Sequence, residues 1–346
     1  MNILFIGGTR RGYLTLKALV QSGATVSGVI SLIQDEHESE RFEEAIKVLA
    51  EANGIVHYQT KAMKDRDYGR LLADEIRPDV ALVVGCRVLI PKSLYSIPPL
   101  GMLAVHDSLL PSYRGFAPLN WALINGEQQT GVTLFHLDER MDGGDIVGQR
   151  TIAISPSDTA PEVYQRVCTE TVALVLDACR LLSEGRAPRT AQDYDAGSFT
   201  CSRIPADGAI DWSLPTTTIY NLIRALCFPY PGAFTFYGAE KLFIWSAIPV
   251  DADRRYVGRI PGRVVAIAAS TGHADVLTGD GILRLLEVQR EGYVKTPAAT
   301  VIRSVRSTLG LRSVDLYARM QLLEQQVEGL MQTHQKKEAT TKEDGR

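Results

Sequence analysis

Two residue types that together move protons lie thirty-six positions apart in this sequence: His106, closing the apolar run GMLAV, and Asp142, within Met141-Asp142-Gly143-Gly144-Asp145. An imidazole titrates near neutral pH, and a carboxylate beside it fixes one tautomer, so such a pair suits general acid-base transfer. Each residue alone reads two ways. His106 is a base at a sheet edge or an ordinary histidine at a strand end, and Asp142 is its partner or a turn-former ahead of two glycines. Pro111 and Gly115 turn the intervening chain into a loop that carries Ser108, Tyr113 and Arg114. Gly7-Gly8-Thr9-Arg10-Arg11-Gly12 stands where a dinucleotide fingerprint would, but Thr9 replaces its second glycine and no Gly-Lys-Ser/Thr follows. The segment is a tight strand-to-helix turn, or an anion site of helix amides flanked by Arg10 and Arg11. The five cysteines form no C-x-x-C pair and no Cys/His cluster of zinc spacing, so no metal site is expected and the thiols read as reduced.

A scaffold must bring the two loops to one edge. Apolar runs at 3–6, 25–33, 55–59 and 79–85 alternate with helical patterns after residue 9 and over 41–53 and 65–76. That alternation predicts an α/β, Rossmann-like, mostly parallel sheet with helices on both faces. Further strands at 101–105 and 131–137 and helices at 118–125 and 160–184 complete a domain over 1–190. His106 then falls at the carboxyl end of a strand, where open sheets of this kind place ligand crevices. A polar, turn-rich stretch makes 191–202 a linker. Short apolar runs at 233–237, 242–247, 262–268, 274–277 and 282–288, after a helix near 217–226, predict a small antiparallel, OB-like β-barrel over 203–295. A helix is expected at 296–332 and a disordered tail at 333–346. Within that helix Leu316, Met320, Leu323, Val327 and Leu330 follow a 4-3-4-3 spacing. The stripe packs on the protein's own surface or joins two copies as a homodimer.

The chain has 346 residues with 37 Lys and Arg against 40 Asp and Glu, a net charge of -3. This balance argues against a nucleic-acid partner, which needs clustered basic residues. Residues 35–44, DEHESERFEE, sharpen the point with six acidic residues and one arginine. The N-terminal apolar run is too short to span a bilayer and has no basic leader, so a cytoplasmic protein without a membrane partner is expected.

His106, Ser108-Leu109-Leu110-Pro111, Tyr113-Arg114-Gly115 and Asp142 in this arrangement resemble the 10-formyltetrahydrofolate-dependent formyltransferases, which include methionyl-tRNA, glycinamide ribonucleotide and sugar-nucleotide enzymes. The resemblance continues through Ile210-Asp211-Trp212, Asn221-Leu222-Ile223-Arg224-Ala225-Leu226 and Pro229-Tyr230-Pro231-Gly232-Ala233, and spans about residues 1–295. It implies an N-formyltransferase with 10-formyltetrahydrofolate as co-substrate and a small amine, such as an amino-sugar nucleotide, as acceptor. The alternatives are a methionyl-tRNA formyltransferase and a folate-binding protein of weak or absent transferase activity. By the same resemblance His106 and Asp142 are catalytic, and Cys86, Arg87, Val88, Leu89, Ile90, Leu137 and Asp138 hold the pterin. Ser108, Tyr113, Arg114 and Arg11 are the expected substrate contacts. One position departs from the pattern: Ala104 stands where the family has a catalytic asparagine. Loss of an oxyanion donor costs about 10² to 10³ in rate, so Ser108, Asn120 or a water is expected to replace it in an active enzyme.

Overall fold

The computed structural model describes residues 1–34, 40–251, 255–311 and 313–343, which divide into two compact units. The first unit holds residues 1–208 and 220–232. Its sheet begins with five parallel strands, β1 (Ile3–Gly7), β2 (Val26–Leu32), β3 (His57–Thr60), β4 (Val80–Val84) and β5 (Met102–His106). After the two-residue β6 (Arg114–Gly115), two antiparallel strands follow, β7 (Gln129–His136) and β8 (Ile146–Ala153). The order across the sheet is β3-β2-β1-β4-β5-β7-β8. The mostly parallel sheet is as expected, whereas β8 was not read from the sequence. Only one of its faces is buried, and its polar residues hide the alternation.

Every residue of β1, β4 and β5 is buried, because successive side chains serve opposite faces that are both covered. Ile3, Phe5, Val80, Leu82, Leu103 and Val105 point to one face. There they meet α1 (Arg10–Gln21), α2 (Glu43–Ala52), α5 (Pro118–Ile124) and the long α6 (Ala160–Ser183). Leu4, Ile6, Ala81, Val83, Met102 and Ala104 face the other way, toward residues of α3 (Asp65–Arg70), the π turn Leu71–Ile76 and α4 (Lys92–Tyr95). Thr159 and Glu162 form a reciprocal capping box that starts α6. The Gly7-Gly8 motif is a matter of close approach, since a Cβ on Gly7 would stand 2.5 Å from the Val84 carbonyl oxygen.

The second unit holds residues 209–219 and 233–346, so the division falls inside α7 (Thr216–Leu226). Its strands are β10 (Ala233–Tyr237), β11 (Glu240–Val250), β12 (Val264–Ala268), β13 (His273–Leu277), β14 (Ile282–Arg290) and the short β15 (Thr296–Pro297), after a β9 (Phe199–Thr200) that belongs to the first unit. They are antiparallel in the order β10-β11-β14-β13-β12, with β15 on β14. Bridges from Thr308 to Arg263 and from Leu309 to Tyr237 link the two edges, closing the sheet toward a barrel. That closure corrects the helix expected at 296–332: among the described residues 296–311 the only helix is the four-residue α8 (Ala298–Val301), and helix resumes at α9 (Ser313–Glu343). The backbone stays helical to Glu343, so the expected disordered tail is also corrected. Its Gln, Lys, Glu and Ala residues are good helix formers. Residues 344–346, and 35–39 of the acidic stretch, lie outside the described residues.

Candidate active site

His106 is the last residue of β5 and continues the face that carries Met102 and Ala104. Its Nε2–H donates to the Tyr113 carbonyl oxygen at 2.8 Å. A carbonyl only accepts, so in the neutral ring Nδ1 keeps the lone pair. Nδ1 lies 3.7 Å from Oδ2 of Asp142, which accepts the Gly115 N–H at 2.8 Å. The two residues thirty-six positions apart therefore meet. Burial pushes the His106 pKa below its ordinary value of 6.5; Asp142 and the Tyr113 carbonyl oppose that shift, and Arg11 and Arg114 add to it.

The loops that converge here carry strained backbone. Tyr113, Ala117 and Asp142 have φ of 60°, 48° and 47°, the left-handed region that non-glycine residues seldom adopt. Arg114 shows what sustains them. It is fully buried, its Nε donates to the Asp142 carbonyl oxygen, and its terminal nitrogens donate to the Tyr194 carbonyl and the Gln192 side chain. Its guanidinium lies 4.2 Å over the Tyr194 ring. Gln192 donates in turn to the carbonyls of Asp142 and Gly144. β9 pairs with β6, and Ser198 accepts from the amides of Tyr113 and Arg114.

Two expectations change as a result. The 191–202 stretch is not a free linker but a strap that binds both loops of the candidate site, those carrying Tyr113 and Asp142. Arg114 is not available to a substrate, because its donors hold that strap to Asp142. Sequence reasoning missed Gln192, Tyr194 and Ser198, which lie about eighty residues from the atoms they hold, with no spacing signal to connect them.

The other candidates divide. Arg11 is buried and ion-paired with Asp107, the neighbour of His106, so it stabilises this strand end instead of presenting a charge to solvent. Ser108 donates to the Ser112 carbonyl oxygen at 2.6 Å, and Asn120 to the Ala225 carbonyl oxygen at 2.7 Å. Both are thereby committed away from the role expected of a substitute for asparagine. The Tyr113 hydroxyl donates to Glu127 at 2.6 Å, which ties its ring to β7's approach. Cys86, Val88, Ile90 and Leu137 are half-buried against the core face that contains Ala104, Leu110 and Phe135. Leu89, by contrast, is 91% exposed and Arg87 is exposed, so neither joins that apolar cluster. Asp138 holds Arg140, its Oδ2 accepting from both Nε and a terminal nitrogen of the guanidinium and its Oδ1 from the Arg140 backbone N–H, which shapes the loop before Asp142. Burial pushes the Cys86 thiol up to about 11, which makes it an inert wall residue.

Among the described residues no group of three or more His, Cys, Asp or Glu could hold a metal ion, and no helix is long and apolar enough to cross a membrane.

Family profiles described as formyl transferase and as formyl transferase, C-terminal domain match residues 1–179 and 204–306. The chain is 32% identical to a methionyl-tRNA formyltransferase of Syntrophus aciditrophicus (strain SB), over 90% of this chain and 98% of the relative. Among solved structures it resembles an N-formyltransferase from Helicobacter canadensis in complex with folinic acid and dTDP-3-aminofucose. There the TM-score is 0.60 and the identity 16%, over 83% of this chain and 98% of that one. HypX from Aquifex aeolicus in complex with tetrahydrofolic acid matches with a TM-score of 0.59 and 20% identity. This alignment covers 88% of this chain but 47% of HypX, so the chain spans about half of that protein.

Proposed function

Because the chain belongs to the formyl transferase family, we propose that His106 and Asp142 carry formyl transfer from 10-formyltetrahydrofolate to the amine of a small molecule, with an amino-sugar nucleotide as the leading acceptor class. The observation that carries this reading is the His106–Asp142 pair, held at 3.7 Å at the carboxyl end of β5 by two strained loops. The donor supplies an activated formyl carbon. The half-buried Cys86, Val88, Ile90 and Leu137, backed by Ala104, Leu110 and Phe135, offer the apolar surface that a flat pterin requires.

Formyl transfer forms a C–N bond to the amine and breaks the C–N bond to the donor, so one proton must leave the first nitrogen and reach the second. His106 Nδ1 carries the lone pair that can take it, and the imidazolium so formed can deliver it to the departing nitrogen. Asp142 stabilises that imidazolium. Tyr113 fixes the ring by accepting from Nε2, so the other nitrogen is kept as the base.

A methionyl-tRNA acceptor is the second reading, favoured by the 32% identical relative. Against it stand the net charge of -3 and the acidic run at 35–44. Incubation with formyl-labelled donor and a panel of amino-sugar nucleotides, amino acids and methionyl-tRNA separates the two. Labelled sugar nucleotide is expected, and salt-sensitive submicromolar binding of methionyl-tRNA with its formylation would overturn the small-amine assignment. With the substrate found, His106→Ala and Asp142→Ala should each lower turnover by about 10² to 10⁴. Turnover within about twofold of the unaltered protein would remove both residues from the mechanism.

A further inference from the structure

Two acceptors compete for the one proton of the neutral His106 ring. The Tyr113 carbonyl oxygen stands 2.8 Å from Nε2, and Oδ2 of Asp142 stands 3.7 Å from Nδ1. A carboxylate is the stronger acceptor of the two. With the carbonyl withdrawn, the proton would move to Nδ1 and face Asp142, and the lone pair would pass to Nε2. The placement of the Tyr113 carbonyl therefore decides which nitrogen is free.

Tyr113 must be held for that carbonyl to stay in place. Its φ of 60° lies in the left-handed region, which an aromatic residue keeps only where its surroundings fix it. The strap pins its backbone: the Tyr113 N–H donates to Ser198 Oγ, and the Arg114 N–H, on the same peptide as the carbonyl, donates to the Ser198 carbonyl oxygen, each at 2.9 Å. A peptide pinned along one edge can still tilt with the residue that carries it. The side chain supplies the second hold. The Tyr113 hydroxyl donates to Oε1 of Glu127 at 2.6 Å and accepts from Nδ2 of Asn125 at 3.0 Å. A phenol has a single proton, and Glu127 takes it. Both partners sit in the turn between α5 and β7, where Asn125 caps α5, Gly126 has a φ of 72°, and the Glu127 N–H donates to the Ala122 carbonyl oxygen at 2.9 Å. We propose that Glu127 and Asn125 are positioning residues that act through the Tyr113 hydroxyl to hold the Nε2–H tautomer of His106 and keep Nδ1 free. A free Nδ1 bears on turnover only on the proposed reading of His106 as the base in formyl transfer, so tautomer and turnover are measured separately.

The ¹⁵N shifts of the imidazole nitrogens, in the full chain labelled at histidine, report the tautomer, and the His106 signals are those lost in His106→Ala. At about pH 8, where the ring is neutral, the unaltered protein should carry its proton on Nε2. Glu127 and Asn125 are exposed and Tyr113→Phe keeps the ring, so these changes spare the core. Tyr113→Phe and Glu127→Ala should each move the ring proton toward Nδ1. On the identified substrate each should lower kcat about threefold to tenfold, as loss of one hydrogen bond would, with KM for the amine within about twofold. Asn125→Ala, which leaves the Glu127 bond in place, should do the same to a smaller extent. In Glu127→Gln an amide oxygen still accepts the hydroxyl proton, so the tautomer should return to Nε2–H and kcat to within about twofold. An unchanged Nε2–H tautomer in both Tyr113→Phe and Glu127→Ala overturns the proposal, whatever turnover does. A tautomer that shifts while turnover holds upholds the clamp and removes His106 from formyl transfer instead.

Discussion

His106 bears its proton on the nitrogen that faces Tyr113 and its lone pair on the one that faces Asp142, so in the proposed reaction its pKa governs turnover directly. Burial holds that pKa below 6.5. The imidazole is therefore mostly neutral at pH 7, and on the proposed mechanism kcat/KM should be flat through neutrality and fall only on an acidic limb centred below 6.5. Asp142 raises the pKa, so Asp142→Asn should move that limb further toward acid as well as slow the reaction; a limb that moved toward neutrality would contradict the pairing. Ala104 poses a different question. It is paired with Val83 and Phe135 across the neighbouring strands, in an apolar cluster with Met102 and Leu110. An asparagine amide there enters apolar surroundings and costs about 1–3 kcal/mol when its hydrogen bonds go unmade. Ala104→Asn should thus lower the thermal midpoint and leave turnover unchanged or reduced. A tenfold gain in turnover would instead mark the unaltered protein as a weakened enzyme. Arg114→Lys keeps the charge but loses the fork that spans Asp142, Gln192 and Tyr194. It should lower kcat with little change in KM for the amine, whereas a change confined to KM would restore Arg114 to the substrate.

Loops, rather than strands, set the precision of this site. The turn carrying Asp142 closes against β7 so tightly that a Cβ on Gly144 would stand 1.8 Å from the His136 carbonyl oxygen. Gly144→Ala must therefore displace backbone, and it should destabilise the first unit by more than about 3 kcal/mol, in the range of severe core lesions. Circular dichroism on heating would measure this; a loss under about 1 kcal/mol would show that the turn moves freely. The strands themselves were legible because their periodicity is local. DVALVVG is apolar on both faces, and GMLAV ends at His106 as a buried strand should. The strap was not legible, since its polar, turn-rich residues look like any connector and take their role from atoms about eighty residues away. The stretch at 296–312 misled for a related reason: bridges from Thr308 and Leu309 to the sheet edges outweigh local helix propensity there.

Across the first unit the described histidines share one tendency. Burial lowers the pKa of His57, His106 and His136 alike, each from an ordinary value of 6.5. Below pH 6.5 the unfolded chain accepts protons that the folded chain refuses, so stability rises with pH across that window and is lost on descending through it. Carboxylates titrate lower still, which leaves pH 6.5 to about 5 to the histidines. The thermal midpoint of the first unit should fall over that interval, and fall less in His57→Gln or His136→Gln; equal slopes would exclude them as the cause. Sequence pointed to His106 and Asp142, which the fold brings together, and to the mostly parallel sheet, yet it stopped the domain at residue 190. The strap bears on that boundary. A chain terminated after Ala191 would retain all seven strands and both side chains of the His106–Asp142 pair, but the guanidinium of Arg114 would have lost Gln192 and Tyr194, and the amides of Tyr113 and Arg114 would have lost Ser198. In a chain growing from its N-terminus the residues of all seven strands precede the strap, so on the proposed reading the two loops stay unfastened until Thr200 is free to pair with Gly115.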